Sequence, residues 1–212
     1  MGHDGRMPET AQEWYARVRA SLDAEGYRDV DPTEWPSFPF VEGGVRPMGP
    51  PSEERTREGA GGVDCVLCER SRAEDPRDYV FWRDELMMLG APFQTSGLPL
   101  VCYLMPRRHA DLRDLTDREA RRTGELLVFL ERAACDVLDV PRIQVARYGE
   151  GVEHLHYWVF ARPTGIARLR GSFLTLWDEV LPHTDVASRR ADLDLLAARL
   201  VQLAGGQALP SR

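Results

Sequence analysis

The sequence predicts an α+β domain in which an antiparallel sheet carries a helix on one face. Three observations predict it. Short apolar runs follow the order strand, strand, strand, helix, strand, strand. One long capped helix separates the third run from the fourth, and no internal repeat is visible along the 212 residues. A chain of this length buries one sizeable core. Its simplest division is an N-terminal helix and arm over 1–62, a central domain over 63–165 and a helical C-terminal extension over 166–212.

Each element has its own signature. Trp14, Val18 and Leu22 recur at i, i+4 and i+8 among Arg17, Arg19 and Asp23, which predicts an amphipathic helix over 10–25 that stops at Gly26. From 31 to 62 the chain turns to Pro, Gly and charge, so regular structure is not expected there. Within it, Trp35, Phe38 and Phe40 predict an extended arm, ordered through Phe40 and packed on the core or on a partner subunit in a homodimer. Full burial of such side chains contributes roughly 1.5–3 kcal/mol each. Residues 50–62 are polar enough to be mobile.

Residues 79–83 and 86–89 read as strands around a turn at Asp84-Glu85, and 98–105 is the almost continuously apolar run of a central strand ending in Pro106. Thr116-Asp117-Arg118-Glu119 spells a capping box, after which Leu126, Leu127, Leu130, Ala134 and Leu138 keep a helical period. Residues 143–148 and 154–162 form a strand pair across Gly149-Glu150-Gly151, and 173–181 and 187–203 read as two more helices.

Composition removes several function classes. With 27 basic against 34 acidic residues the net charge is -7, so no electrostatic footprint for nucleic acid or anionic membrane exists, and a small-molecule substrate is expected. Every basic residue is Arg; with no lysine, Schiff-base, pyridoxal-phosphate and P-loop lysine chemistries are excluded. Four cysteines are too few for a disulfide scaffold, and no apolar leader follows Met1, so cytoplasmic residence is expected. No run reaches the roughly 18–20 apolar residues that span a bilayer.

The chemistry concentrates in His154-Leu155-His156-Tyr157-Trp158-Val159-Phe160. Alternation along a strand puts His154, His156, Trp158 and Phe160 on one face. Cys65 and Cys68 supply two thiols, and Pro106-Arg107-Arg108-His109 a third imidazole. A Cys-x-x-Cys alone also describes a buried, redox-inert pair. With His109 and the His154/His156 pair, the two thiols look like a metal site beside a nucleophile, at spacings (68 to 109, 109 to 154) far too long for a zinc finger, which require a preformed fold. Cys102 and Cys135, in apolar periodic runs, are expected in the core. A lone His156 would read as a satisfied core histidine. Beside a second imidazole and a metal set, its ring can attack phosphorus through one nitrogen while a hydrogen bond at the other fixes the tautomer.

These residues, in this order, resemble the histidine-triad (HIT) superfamily of nucleotidyl hydrolases and transferases. Its pattern is His-φ-His-φ-His-φ-φ (φ apolar), after a Pro-Lys/Arg-x-His strand end and often an N-terminal Cys-x-x-Cys. The similarity runs from about Asp64 to Pro163. It implies a HIT-like antiparallel sheet with a packed helix, extended at both ends. It also implies a Zn2+ cofactor, held as in galactose-1-phosphate uridylyltransferase by Cys65, Cys68, His109 and His154, and a covalent nucleotidyl intermediate on His156.

This chain departs from the pattern at three places. Trp158 stands where the third histidine would be; an indole N–H donates a hydrogen bond but is no general acid near pH 7, so it either stacks on a base or fills the pocket. Leu89 stands where members carry a ribose-binding Asp. Arg147-Tyr148-Gly149-Glu150-Gly151 replaces the phosphate-contacting Gly-Gln-Ser/Thr segment, leaving Arg147, Arg107 and Arg108 as candidate binders of substrate phosphate. The expectation is therefore a HIT-like enzyme acting on a nucleotide-like phosphoanhydride, phosphoramidate or phosphate ester through His156. Two alternatives stay open: a zinc-stabilised pseudoenzyme or binding protein, and a HIT fold turned to a non-nucleotide small molecule in specialised metabolism.

Overall fold

The computed structural model describes residues 7–25, 35 and 38–210. Helix α1 (Ala11–Glu25) is opened by Thr10, whose N–H and hydroxyl both bond the Glu13 carboxylate. Trp14 and Val18 are buried, as their spacing requires, and the Trp14 indole donates to the Gly97 carbonyl at 2.7 Å. The Leu22 side chain, the stop expected at Gly26 and the arm residues up to 37 other than Trp35 lie outside the described residues.

Residues 38–62 hold more structure than their composition predicts. Strands β1 (Phe40–Val41) and β2 (Gly44–Val45) pair as a short hairpin, with Phe40 left 49% exposed. The expectation of a mobile 50–62 fails at its C-terminal end. There Glu58 bridges Val152, Arg57 donates to the Gly149 carbonyl and Gly61 N–H bonds Glu153 at 2.9 Å. The residues are polar because their partners are polar, and composition cannot distinguish that from solvation.

Helix α2 (Val66–Arg72) follows the first cysteine. The main sheet contains β3 (Val80–Arg83), β4 (Met87–Gly90), β5 (Leu100–Pro106), β6 (Ile143–Ala146), β7 (Tyr157–Ala161) and β8 (Gln207–Ala208). All neighbours are antiparallel, in the order β6-β7-β5-β4-β3-β8. Asp84 makes the β3–β4 turn by accepting the N–H groups of Leu86 and Met87, each at 2.7 Å. The capping box forms as spelled: Thr116 and Glu119 exchange bonds, opening α3 (Asp117–Val137).

Alternation along β5 sorts the core. Leu100, Cys102 and Leu104 join the cluster under α3 and α5 (Val186–Ala204), while Val101, Tyr103 and Met105 face the other way. The tail is built into that first layer: Leu193, Leu196, Ala197 and Leu200 of α5 share one cluster with Leu126 and Leu130 of α3. Cys102 is fully buried, but Cys135 is exposed and not in the core. One residue turns a helix by about 100°, so with Ala134 facing inward Cys135 faces out.

The segment expected as a helix over 173–181 holds only a 3-10 turn and the short α4 (Leu174–Asp178), which pack with Trp14 on the opposite face of the sheet. Strand β8 was not foreseen, two residues being too few to show a period. It is reached through Gly206, whose φ of 82° suits glycine and where a Cβ would lie 2.6 Å from the buried Trp82 ring. No helix among the described residues is long and apolar enough to cross a membrane.

Candidate functional site

The strand carrying Trp158 and Phe160 begins only at Tyr157, so His154 and His156 lie in the segment leading into it. The Leu155 N–H is taken by the Ala110 carbonyl in the loop after β5, and the β5–β7 ladder starts one step later, at Leu104 opposite Tyr157. A continuous strand from 154 is thereby excluded. The two imidazoles lie outside the ladder, His154 against the two thiols and His156 against Tyr103, on the side of β5 that Tyr103 and Met105 face.

His154 has no exposed surface and joins the two thiols. Its Nδ1 lies 3.3 Å from Cys68 Sγ and 3.7 Å from Cys65 Sγ, and His109 Nδ1 lies 3.7 Å from Cys68 Sγ. Among the described residues these four ligand atoms all fall within 4.8 Å of one another. Zinc bound tetrahedrally by thiolate and imidazole would separate S from N by roughly 3.5 Å, so the cluster has the dimensions and the donor set of such a centre.

Both rings are oriented from behind. His154 Nε2 donates to the Pro106 carbonyl at 2.9 Å, and His109 Nε2 lies 3.4 Å from Glu153 Oε1, which turns each Nδ1 to the sulfurs. Gly61 N–H and His109 in turn hold the Glu153 carboxyl below its ordinary value. Burial brings His154 down to about 4, keeping it in the neutral form that ligates metal. Burial and the adjacent Cys65 push the Cys68 thiol up to about 11, a penalty that a bound dication reverses.

The backbone before Cys65 is fitted to this knuckle. Asp64 sits at φ 49°, in the left-handed region that Asp tolerates better than most residues. Gly59, at φ 70°, passes so close beneath Cys65 that a Cβ there would be 2.8 Å from the Cys65 Cβ.

His156 is half-buried and points elsewhere. Its Nδ1 donates to the His154 carbonyl at 2.8 Å, which fixes the tautomer and leaves Nε2 without a partner among the described residues. Its ring meets Tyr103 edge-on at 5.6 Å and lies 6.4 Å from Trp158, which itself stacks on Phe160 at 5.5 Å and abuts Tyr103 at 4.6 Å. Leu89 is buried in the helix-covered cluster.

The three expected phosphate binders are spread out. Arg147 packs over Gly149 and pairs with Asp111 at 2.7 Å. Arg108 pairs with Glu119, also at 2.7 Å. Arg107 donates to the Asp84 carbonyl and, with Arg108, lines a groove that does not include His156.

No family model and no curated protein matches this chain, but solved structures do. A hypothetical histidine triad nucleotide-binding protein from Sulfolobus tokodaii is 12% identical, with a TM-score of 0.50 over 66% of this chain and 97% of its own. The chain has the histidine-triad fold. A Zn-bound histidine triad family protein from Mycobacterium smegmatis is 22% identical over 66% of this chain and 96% of its own, with a TM-score of 0.47. A uridylyltransferase is 18% identical over 88% of this chain and 51% of its own, with a TM-score of 0.49.

On this histidine-triad fold the site includes residues that sequence reasoning missed. Glu153 aims His109, yet the two are 44 residues apart and carry no spacing signal. Arg57 holds Asp111 at 2.9 Å and lies 3.6 Å from Glu153, although it belongs to a segment that reads as mobile. Tyr103, whose phenol burial pushes up to about 12, was visible only as one more apolar residue of β5.

Proposed function

We propose that this chain is a zinc-binding HIT-like hydrolase or nucleotidyltransferase that cleaves a phosphoanhydride, phosphoramidate or phosphate ester of a nucleotide-like small molecule through His156. The observation that carries the reading is the hydrogen bond from His156 Nδ1 to the His154 carbonyl, with Nε2 left uncommitted at the edge of an aromatic wall. Cys65, Cys68, His109 and His154 would hold the zinc. Four protein ligands leave no open position, so bound zinc would supply structural rigidity, fixing the loop from which His156 projects.

In the first step the Nε2 lone pair attacks phosphorus in line, a P–N bond forms and the bond to the leaving group breaks. The ring becomes cationic as it does so, and its Nδ1–H bond to the His154 carbonyl strengthens with that charge. Water, which gives up its proton to solvent, or an acceptor phosphate then attacks the same phosphorus, the P–N bond breaks and its electron pair returns to Nε2, restoring the neutral imidazole. Trp158 cannot protonate the departing group. Leaving groups stable as anions, phosphates above all, are therefore preferred over amines and alkoxides. Trp158, in its row with Phe160, offers a stacking surface for a base, and Arg147, in the loop before the histidines, is the arginine we assign to substrate phosphate.

The test is a panel of dinucleoside polyphosphates, nucleotide sugars and nucleotide phosphoramidates, scored by product formation and by trapping an acid-labile phosphohistidine adduct. Turnover of anhydrides that vanishes in His156→Ala is expected. Activity surviving that substitution would remove His156 from the chemistry, and tight binding of one compound without any turnover across the panel would make the protein a binding module.

A further inference from the structure

On the metal-cluster face, at the end of the sheet where α2 and β5 finish, lies a groove of about 490 Å³ rimmed by Arg72, Arg83, Arg107 and Arg108 and backed by Val80 and Met88. None of Tyr103, His156 or Trp158 lines it, so it is a different place from the proposed catalytic centre. The four arginines come from three separate chain segments: Arg72 ends α2, Arg83 ends β3, and Arg107 and Arg108 follow directly on β5.

Charge pairing within the groove is uneven. Glu119 neutralises Arg108 at 2.7 Å, and the other carboxylate on the rim, Glu85, is engaged by Arg118 from outside at 2.7 Å. The remaining three guanidiniums have no carboxylate partner among the described residues. Among the described residues Arg83 reaches only the Gln207 amide oxygen at 3.4 Å, Arg107 only the Asp84 carbonyl at 3.0 Å, and Arg72 makes no hydrogen bond or ion pair. Three cations without a carboxylate partner among the described residues thus line one concavity, Arg72 also acting on the nearby Cys68 thiol, in a chain whose net charge is -7.

We propose that this groove is a second ligand site, for a small molecule carrying a di- or polyphosphate group. Guanidiniums present in-plane pairs of donors that match phosphate oxygens, and three of them balance the charge of a diphosphate better than that of a single carboxylate. The volume lies within the roughly 300–1,000 Å³ of small-molecule pockets. Glu85 and Glu119 on the rim, and the acidic balance of the chain, disfavour a continuous nucleic-acid backbone. The assignment is independent of any chemistry at His156.

Calorimetric titration with inorganic pyrophosphate tests it on four proteins: the unaltered chain, His156→Ala, Arg107→Gln, and the triple variant Arg72→Gln/Arg83→Gln/Arg107→Gln. Binding of equal affinity is expected in the unaltered chain and in His156→Ala, weakened about tenfold in Arg107→Gln and lost in the triple variant. Circular dichroism and metal content verify that the triple variant folds, and Arg107→Gln alone, an exposed single change, decides the matter if it does not. Absence of binding in the unaltered chain, unchanged affinity in the arginine variants, or loss of binding in His156→Ala would each overturn the proposal.

Discussion

His154 and His156 stand two residues apart and have opposite surroundings. The first is sealed, with one ring nitrogen on a carbonyl and the other against two thiols; the second is half-open, with one nitrogen on a carbonyl and the other without a partner among the described residues. Under the proposed function the first would be a strut and the second a reagent, according to what fills the second valence. Removing a strut damages the fold, and removing a reagent leaves the fold and stops the reaction.

The strongest way to break this contrast is to delete each imidazole. His154→Ala is expected to abolish stoichiometric metal and to lower the midpoint of thermal unfolding by more than about 10 °C, since ligand loss is folding loss in such centres. His156→Ala is expected to keep both while turnover drops roughly 10³-fold or more. Elemental analysis, calorimetry and the substrate panel read the three quantities, and equal thermal damage in the two variants would dissolve the distinction.

Next in size is the support behind His109. Glu153→Gln removes the carboxylate that orients that ring, and zinc affinity is expected to fall between 10- and 100-fold, about what such outer partners contribute. Competition with a chromophoric chelator measures it; unchanged affinity would mean that Glu153 does not set the orientation of His109. At the other histidine, Trp158→His puts an ionisable group near His156, whose ring lies 6.4 Å from that of Trp158. Amine leaving groups are expected to gain about 10²-fold in kcat while phosphate leaving groups change little. A uniform change across the panel would instead point to altered base stacking.

The smallest effect concerns neither histidine and separates acid damage to the helix from acid damage to the metal centre. The bond from Arg108, together with those from Thr116, holds Glu119 at about 2, against an ordinary 4.5. Its stabilisation is therefore complete above pH 4.5 and lost as pH falls from there through about 2. Discounting for the solvent that reaches Arg108, the loss is on the order of 2 kcal/mol. Denaturant titrations of Glu119→Gln and the unaltered chain between pH 2 and 6 should converge at the acid end; a constant offset would assign the effect to lost capping geometry.

What could be read from the sequence was what repeats or what rests on a few adjacent residues. The capping box at Thr116 and the apolar β5 were legible because local chemistry specifies them, whereas the set of two thiols and two imidazoles, spread from 65 to 154, was legible only through the family resemblance. The separate partners of His154 and His156 were not legible, because the segment is held by contacts made far away in the chain, the Leu155 N–H on the Ala110 carbonyl among them. Arg57 and Glu153 were hidden for a related reason: an ion pair across the fold looks, in one dimension, like two solvated charges. Cys135 misled because Ala134 and Leu138 made its whole stretch look apolar, although only one side of a helix is covered.

The pairing of β8 with β3 sets a clock on synthesis. Arg83 and Gln207 are 124 residues apart, so the outer edge of β3 is translated long before the strand that covers it. At elongation rates of about 5–20 residues per second that wait is roughly 6–25 s. Throughout it a nascent chain can present Trp82 and an open row of backbone donors and acceptors to its neighbours on a polysome. Slow translation through the α5 coding region would lengthen that exposure and favour aggregation, a liability that belongs to the order of manufacture and is absent from the finished molecule.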